Sequence, residues 1–230
     1  PEIKAAAALA QELSGPRFLE FNTHQLWPIA SLTKLMTAVV ALEYLGPDHA
    51  IIFSQAAIDT EGIGGGFTAG ELHPVRDLVQ TLIAVSSNDA AAALAETYGT
   101  TQFIDAMHAK AKMLGMGNTI FFDATGLSSL NQSTVTDLEK LVHYIITAHP
   151  DIFAMSRQPE ITIAGRTLRN INQFAGMEHF LGGKTGFTDE ASGNLISLFD
   201  VRGRPLLIII LGSEDRFGET QKIYDYLTSR

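Results

Sequence analysis

A serine and a lysine three positions apart are the first residues whose types and spacing suggest chemistry: Ser31 and Lys34, in the run S-L-T-K. Residues i and i+3 share one face of a helix, so the amine can reach the hydroxyl. Lys34 would act as a base for Ser31 only if burial or nearby positive charge lowered its pKa. The helix N-terminus would also stabilise negative charge that develops at Ser31. The motif arises by chance as well, with a serine cap and a solvated lysine, so it needs support from the rest of the chain.

A second polar cluster, S-S-N at positions 86–88, interrupts a helical pattern. In such a break a hydroxyl and a carboxamide can both face a cleft. Ser86 could pass a proton between Lys34 and a leaving amine, while Asn88 could hold a substrate carbonyl or fix the lysine. The alternative is that Ser87 or Asn88 caps the next helix, which is the usual role of these residue types at such positions.

A third run, K-T-G at positions 184–186, begins a strand-like segment. Lys184 could bind a carboxylate, Thr185 could add a hydroxyl contact, and Gly186 would let a substrate backbone approach the strand closely. A phosphate-binding loop is excluded because its first glycine would fall at Glu178 and no loop-to-helix switch follows. The run therefore predicts an anion-binding strand and not a nucleotide site.

The elements that must position these residues follow from hydrophobic periodicity and turn signals. Apolar residues at helical spacing follow Pro28 and stop at Gly46, which places Ser31 in the first turn of a helix. Further helices are predicted from Pro74 to Val85, from the S-S-N break to Gly99, from a cap at Thr101 to about Gly115, after a capping box of Thr136 and Glu139, and over residues 219–227. Strands are predicted at residues 3–9, 17–21, 160–164, 183–188, 194–201 and 205–211.

Strands at both ends of the chain, with helices between them, predict an α+β fold. The sheet would be assembled from the two termini, and a helical lobe would be inserted between them. Composition agrees with one globular unit, because 46% of the 230 residues are hydrophobic and 18% are charged. The longest apolar stretch, residues 205–211, is strand-sized, so no transmembrane segment is expected.

Charge and cysteine content narrow the function classes. The formal net charge is -9, which offers no general basic surface for DNA or RNA, so no nucleic-acid partner is expected. The chain has no cysteine, which excludes cysteine nucleophiles and thiolate zinc sites. The seven histidines show no metal-ligand spacing, and no metal is expected.

The order S-L-T-K, S-S-N and K-T-G resembles the penicillin-binding and serine β-lactamase superfamily, whose equivalent motifs converge on one acylation site. The flanking segments, among them PIASLTKLMTAVVAL, LIAVSSNDAAAAL and KTGFTDE, look like the low-molecular-mass D-alanyl-D-alanine carboxypeptidase and endopeptidase family. The resemblance covers nearly the whole chain. It implies a single catalytic domain, 1–230, with a five-stranded antiparallel sheet flanked by helices. The sheet lobe would span about 1–27 and 156–230, and the helical lobe about 28–155.

Carried over by position, the resemblance implies the catalytic residues. Ser31 would be the acyl-ester nucleophile, Lys34 its general base and Ser86 the proton relay. Asn88 would orient the substrate. Ser87 stands where the family usually carries glycine, and a small polar residue is expected to fit there.

The resemblance also implies the binding residues. Lys184 and Thr185 would bind the terminal carboxylate, with Gly186 beside them in the substrate-binding strand. The backbone N–H groups of Ser31 and Phe187 would form the oxyanion hole, where negative charge develops. Some carboxypeptidases carry histidine at the position of Phe187, so a pH dependence from that residue is not expected.

The implied activity is that of a serine-type D-alanyl-D-alanine carboxypeptidase. It would act on peptidoglycan stem peptides through an acyl-enzyme, need no cofactor and be inhibited covalently by β-lactams. A D,D-endopeptidase that cuts crosslinks is the first alternative, because residues 126–141 resemble both branches. A serine β-lactamase is disfavoured, since none of Glu139, Glu160 and Glu178 lies in the E-x-x-L-N context of class A enzymes. A non-catalytic muropeptide-binding scaffold is the last alternative.

The expected location is extracytoplasmic, either periplasmic or secreted. Peptidoglycan, the implied substrate, lies outside the cytoplasmic membrane. The chain begins at Pro1 without a charged and apolar leader, so a signal peptide not present in this chain is expected to have been removed.

Overall fold

The computed structural model describes residues 2–229. Its strands are β1 (Ala7–Glu12), β2 (Arg17–Phe21), β3 (Trp27–Pro28), β4 (Ala50–Ile52), β5 (Leu72–Pro74), β6 (Gln132–Ser133), β7 (Glu160–Ile163), β8 (Arg166–Arg169), β9 (Phe180–Thr188), β10 (Ser192–Val201) and β11 (Arg204–Ser213). Its α-helices are α1 (Thr33–Val40), α2 (Gln55–Ile58), α3 (Val75–Ala84), α4 (Asn88–Tyr98), α5 (Thr100–Met113), α6 (Val135–Ala148), α7 (Asp151–Met155) and α8 (Arg216–Thr228). A 3₁₀ turn, Ala30–Leu32, precedes α1, and a π-helical turn, Ala41–Leu45, follows it.

The central sheet has five strands in the order β2-β1-β11-β10-β9, and every neighbouring pair is antiparallel. The first strand of the chain lies beside the last, with Ala7 opposite Leu211 and Glu12 opposite Leu206. The predicted α+β fold, with a sheet built from both termini, is confirmed. Strand β9, which carries K-T-G, forms one edge of this sheet.

Both faces of the sheet are covered, which explains the uninterrupted apolar run in β11. Leu207 and Ile209 belong to the larger core, which the sheet shares with the helices between the termini. Ile208 and Ile210 point to the opposite face and pack in a second core with Ile223 of α8. Because successive strand residues face opposite sides, a strand covered on both faces needs apolar residues at every position.

Three two-stranded ribbons lie outside the sheet, and two of them, β3–β6 and β4–β5, join parts of the chain that are separated in sequence. Pairing of β3 with β6 brings Trp27 opposite Ser133. Pairing of β4 with β5 and of β7 with β8 forms the other two ribbons. Except for β7, none of these short strands was predicted, since two to four residues carry too little periodicity to be recognised.

The predicted capping box at the start of α6 is wrong. The cap is Thr134, whose hydroxyl accepts a hydrogen bond from the backbone N–H of Asp137 at 3.2 Å. Thr136 instead donates its hydroxyl to the carbonyl of Thr23, and Glu139 bonds the side chains of β1 and β2. Thr134 and Thr136 are each followed three residues later by an acidic residue, so both match the sequence pattern of a helix cap. Thr136 is excluded because its hydroxyl bonds the carbonyl of Thr23.

Other boundaries differ by a few residues. Helix α5 begins at Thr100 after Gly99, without a side-chain cap, so the predicted cap at Thr101 is wrong. Strand β1 begins at Ala7, where pairing with β11 starts, and not at residue 3. Helix α8 begins at Arg216, three residues earlier than predicted, because Asp215 caps it.

Within residues 2–229, no helix has the length and apolar character needed to cross a bilayer. The assignment of one catalytic domain to 1–230 stays a prediction, and its end residues 1 and 230 lie outside the described residues.

Candidate active site

Ser31 lies in the 3₁₀ turn that leads into α1, two residues before that helix begins. The residue before it, Ala30, has a φ of 47°, a left-handed conformation that an α-helix cannot contain without strain. The turn is closed by a hydrogen bond from the N–H of Leu32 to the carbonyl of Ile29 at 3.1 Å. This local geometry sets Ser31 apart from α1 at the helix entrance.

Two glycines from distant parts of the sequence, Gly126 and Gly186, bring their backbones close to this turn. A Cβ on Gly126 would lie 2.1 Å from the carbonyl oxygen of Ala30, and the φ of Gly126 is 84°. A Cβ on Gly186 of β9 would lie 3.2 Å from the N–H nitrogen of Ser31. A larger residue at Gly126 cannot fit unless the turn moves, so the loop around Gly126 and the edge strand both depend on close backbone approach.

Lys34 is completely buried, and its Nζ lies 2.9 Å from Ser31 Oγ. The same amine donates to the backbone carbonyl of Thr125. Burial lowers the pKa of Lys34 to about 7, against the opposing effect of the carboxylates of Asp123 and Asp89. A large fraction of Lys34 is therefore neutral near pH 7 and can accept the proton of Ser31.

Ser86 lies between α3 and α4, is almost fully buried and has a φ of 63°. Such strain in a residue other than glycine is characteristic of functional sites. Its Oγ accepts a hydrogen bond from Lys184 Nζ at 2.9 Å. The structure thus joins the second and third motifs directly, a contact that the sequence did not predict.

In the S-S-N motif, Ser87 caps a helix, whereas Asn88 does not. Ser87 caps α4 by accepting from the N–H of Ala90 at 3.2 Å, as the structural alternative proposed. The amide of Asn88 donates to the carbonyl of Glu61 at 2.7 Å, and a Cβ on Gly62 would lie 2.5 Å from that nitrogen. Asn88 therefore holds the glycine-rich loop that begins at Gly62 against the start of α4.

Lys184 and Thr185 are also buried, on the edge strand β9. Lys184 Nζ donates to the carbonyl of Thr185 at 2.9 Å as well as to Ser86. The pKa of Lys184 is held well below its usual value, first by burial and then by the nearby charges of Lys34 and Arg216. The amines of Lys34 and Lys184 and the guanidinium of Arg216 therefore lie near one another, and a bound anion would favour their protonated forms.

Phe187, the proposed second oxyanion donor through its N–H, follows K-T-G on β9. Its side chain is 60% exposed, and its backbone lies opposite Gly193 of β10. The side chain therefore takes no part in the core. Its assignment to the oxyanion hole stays a prediction.

Arg216 is a candidate binding residue that sequence reasoning missed. It opens α8, its guanidinium carbon lies 5.9 Å from the ring centre of Phe187, and its buried Nε has no hydrogen-bond partner. Burial lowers its pKa from the ordinary value. One signal was present in the sequence: a cation in the first turn of a helix opposes the helix dipole and needs another reason to be there.

The structure brings all the predicted site residues to the junction of α1, α4, β9 and the loop around Gly126. The described residues, 2–229, contain no group of three or more acidic or histidine side chains arranged to hold a metal ion. The Ser31 hydroxyl lies against the Lys34 amine, and the Ser86 hydroxyl lies against the Lys184 amine; within the described part of the chain, no direct contact joins Ser86 to Lys34. Such a site can perform acyl transfer on a substrate that ends in a carboxylate.

Comparison with known proteins gives the same answer from sequence and from structure. The family model described as D-alanyl-D-alanine carboxypeptidase matches residues 1–215. The D-alanyl-D-alanine endopeptidase of Pseudomonas aeruginosa is 33% identical over 95% of this chain and 77% of that protein. The D-alanyl-D-alanine carboxypeptidase DacD of Salmonella typhimurium is 31% identical over 96% of this chain and 61% of that protein.

Two solved structures show the fold match. The D-alanyl-D-alanine carboxypeptidase DacD of Francisella tularensis superposes with a TM-score of 0.90 at 26% identity, over 98% of this chain and 70% of that one. Penicillin-binding protein D2 of Listeria monocytogenes, in its ampicillin-bound form, superposes with a TM-score of 0.83 at 32% identity, over 98% of both chains. The family and fold predicted from the three motifs are confirmed.

Proposed function

Because the chain belongs to the D-alanyl-D-alanine carboxypeptidase family of serine peptidases, we propose that Ser31 performs the hydrolysis through an acyl-enzyme. The substrate is the D-Ala-D-Ala end of a peptidoglycan stem peptide. The observation that carries this proposal is the pairing of Ser31 Oγ with a buried lysine amine at 2.9 Å whose pKa is lowered to about 7. An amine that is largely neutral and already in contact with the hydroxyl meets the requirements of a general base.

Acylation begins when Lys34 takes the proton of Ser31 and Oγ bonds to the carbonyl carbon of the penultimate D-Ala. The carbonyl oxygen becomes an oxyanion, and the N–H groups of Ser31 and Phe187 donate to it. The C–N bond then breaks, and the leaving amine takes, by way of Ser86, the proton that Lys34 accepted from Ser31. Terminal D-Ala departs, and water then hydrolyses the ester and restores Ser31 Oγ–H.

The terminal carboxylate is bound beside Ser86. Lys184 and Thr185 supply an amine and a hydroxyl on the edge strand, and Gly186 leaves room for the substrate backbone against β9. Arg216 joins this group because its partly buried guanidinium has an unpartnered Nε and lies close enough to lower the pKa of Lys184. Binding of a carboxylate would offset the cost of holding these cations near one another.

β-Lactams acylate the same serine in this proposal. The ampicillin-bound form of the Listeria protein, which the chain matches over 98% of both lengths, supports this expectation. In this proposal Asn88, whose amide is anchored to the carbonyl of Glu61, orients the substrate backbone. The chain lacks the glutamate that class A β-lactamases use for deacylation, so hydrolysis of such an adduct is expected to be slow.

Cleavage of crosslinks is a second candidate function, favoured by the relatives themselves. Proteins named D-alanyl-D-alanine endopeptidase from Pseudomonas aeruginosa and Escherichia coli are 33% and 32% identical to this chain, as close as the carboxypeptidases. An endopeptidase would break the same type of D-centred amide, with the acceptor strand as leaving group. Since peptidoglycan lies outside the cytoplasmic membrane, either activity predicts an extracytoplasmic enzyme, periplasmic or secreted.

The decisive experiment is the intact mass of the protein after incubation with penicillin G. Wild type is expected to gain one penicilloyl group, and Ser31→Ala is expected to gain none while remaining folded. Ser54→Ala is the control: Ser54 caps α2 and donates to Glu96, it is not among the proposed site residues, and the variant should still be labelled. A well-folded wild type that gains no mass would contradict the proposal and favour a binding scaffold.

Product analysis then separates the two activities. Release of D-Ala from a D-Ala-D-Ala pentapeptide identifies a carboxypeptidase, and cleavage of a crosslinked dimer identifies an endopeptidase. Both substrates are tested with wild type and Ser31→Ala.

A further inference from the structure

The loop that presents Thr125 to the site is organised by one carboxylate, that of Asp123. Its oxygens accept five hydrogen bonds, from the N–H and hydroxyl of Thr125 at 2.8 and 2.7 Å, the N–H of Gly126 at 2.6 Å, the N–H of Ser128 at 2.8 Å and the amide of Asn131 at 3.0 Å. All five partners are donors, so the site is built for an ionised carboxylate. These bonds hold the pKa of Asp123 below its usual value against the effect of burial.

Asn131 completes the arrangement from the other end of the loop. It is fully buried, and its side-chain oxygen accepts from the N–H of Phe122 at 2.7 Å. Its backbone carbonyl accepts from the N–H of Ile29 at 2.9 Å, immediately before the turn that carries Ser31. The pair Asp123 and Asn131 therefore ties the loop both to itself and to the nucleophile turn.

The loop held in this way contacts the base directly. Thr125 offers its carbonyl to Lys34 Nζ, and Gly126 packs against the carbonyl of Ala30. A neutral amine has two N–H bonds and one lone pair. When one N–H is directed to a fixed carbonyl, the orientations left to the lone pair are restricted, and one of them faces the hydroxyl of Ser31. A loop that moved would release this restriction.

We propose that Asp123, together with Asn131, is a positioning residue of the acylation step, because it fixes the Thr125 carbonyl that orients Lys34 toward Ser31. This inference rests on the proposed function of Lys34 as the general base. Asp123 acts through the loop and touches neither the substrate nor the reacting atoms.

Charge gives Asp123 a second, separable effect. Three charged groups face Lys34: Asp89 from α4, Lys184 from β9 and Asp123 from the loop. The two carboxylates raise the pKa of Lys34 against the larger effect of burial. Removal of the charge of Asp123 therefore lowers that pKa below its present value. Because only the neutral amine is a base, the acid limb of acylation moves to lower pH.

The test is Asp123→Asn, measured as the rate of acylation by penicillin G from pH 5 to 9. The expected result is a plateau rate about 10- to 100-fold lower, because an asparagine presents an N–H₂ to donors and the loop shifts. The acid limb is expected to move down by roughly 0.5 to 1 pH unit. Asp137→Asn is the matched control: Asp137 is a buried carboxylate with several donors, among them the N–H of Asn118 at 2.8 Å, and it does not contact this loop.

A second variant, Asn131→Ala, separates position from charge. It removes the amide but keeps the carboxylate of Asp123, so the plateau rate should fall while the acid limb stays near its wild-type pH. The pKa of Lys34 can also be followed without catalysis, by the ¹³Cε resonance of labelled lysine, assigned by its loss in Lys34→Ala.

Each outcome decides something. An unimpaired plateau rate in folded Asp123→Asn would overturn the proposal, as would an equal loss of plateau rate in Asp137→Asn. An unmoved acid limb and an unmoved Lys34 titration in Asp123→Asn would contradict the separate charge effect. If Asp123→Asn does not fold, an unimpaired Asn131→Ala would overturn it, and a plateau loss there with an unmoved Lys34 titration would support it. Failure of wild type to acylate would contradict the proposed function instead, and the lysine titration would still report on Asp123.

Discussion

At the scale of single residues, the site depends on two lysines that are buried without a carboxylate in contact. Lysines are almost never fully buried unless they are paired. Here Lys34 contacts a hydroxyl and a carbonyl, and Lys184 contacts Ser86 and the carbonyl of Thr185. Burial without a counter-ion lowers the pKa of both amines, which fits the proposed roles of Lys34 as a base and of Lys184 as the group that binds a substrate anion.

The carboxylate-binding assignment predicts the behaviour of Lys184→Ala and Arg216→Ala. Each is expected to lower kcat/KM on a pentapeptide with a free carboxylate by about 100-fold, because a charge-assisted hydrogen bond is lost. On the same peptide with an amidated end, each variant should differ little from wild type. Arg204→Ala is the control, since that arginine pairs with Glu12 on the exposed surface. Equal losses on both peptides would contradict the assignment.

At the scale of elements, the nucleophile turn is positioned by backbones that approach each other closely. The loop around Gly126 lies on one part of the turn, and the edge strand β9 lies on another through Gly186. The approach at Gly126 excludes a side chain unless the backbone moves, and the approach at Gly186 leaves only a tight fit for one. The geometry of Ser31 is therefore maintained by parts of the chain far from it in sequence.

Gly126→Ala tests this dependence. The new Cβ would meet the carbonyl of Ala30 at 2.1 Å, so the turn or the loop must move, and the acylation rate should fall about 100-fold. Gly115→Ala is the matched control, because Gly115 also has a positive φ of 70° but open space around it. It should cost about 1 kcal/mol of stability and leave the acylation rate unchanged. The measurements are penicillin acylation rates and thermal unfolding of both variants, and similar acylation rates in the two would argue against the close-approach role.

At the scale of the whole molecule, the sheet divides two apolar cores, and the active site lies where the larger core meets the edge strand. That burial is what lowers the pKa of Lys34. The catalytic amine therefore reduces the stability of the fold that contains it. Active sites commonly carry such a cost.

The free energy of unfolding should consequently rise with pH above about 7. Between the folded pKa of about 7 and the ordinary value of 10.5, unfolded chains bind a proton on Lys34 that folded chains do not. The contribution of this one group is about 1 kcal/mol per pH unit between pH 7 and 9. Lys34→Met removes it, so the stability difference between wild type and variant should change with pH by that amount. Urea unfolding at several pH values measures the difference, and parallel curves for the two proteins would refute the linkage.

The sequence by itself determined the chemistry and the class of fold. Three short motifs in the right order predicted the family and the fold that the comparisons show, and they supplied the proposed nucleophile, base and carboxylate-binding strand, because acyl transfer restricts residue types and spacing. The apolar periodicity after Pro28 and the apolar run in β11 likewise predicted elements that the structure contains. These signals are local, and local signals can be recognised along the chain.

Only the tertiary structure decided how the motifs are held. The bond from Lys184 to Ser86 joins residues 98 positions apart, and the bond from Lys34 to Thr125 joins residues 91 positions apart. The roles of Asp123 and Arg216 in the site likewise follow from neighbours that no pattern in the sequence identifies. The cap of α6 was also decided by the tertiary structure, because the hydroxyl of Thr136 bonds the carbonyl of Thr23 and Thr134 is the cap. A pKa depends on burial, and burial is a property of the closed fold and not of the residue.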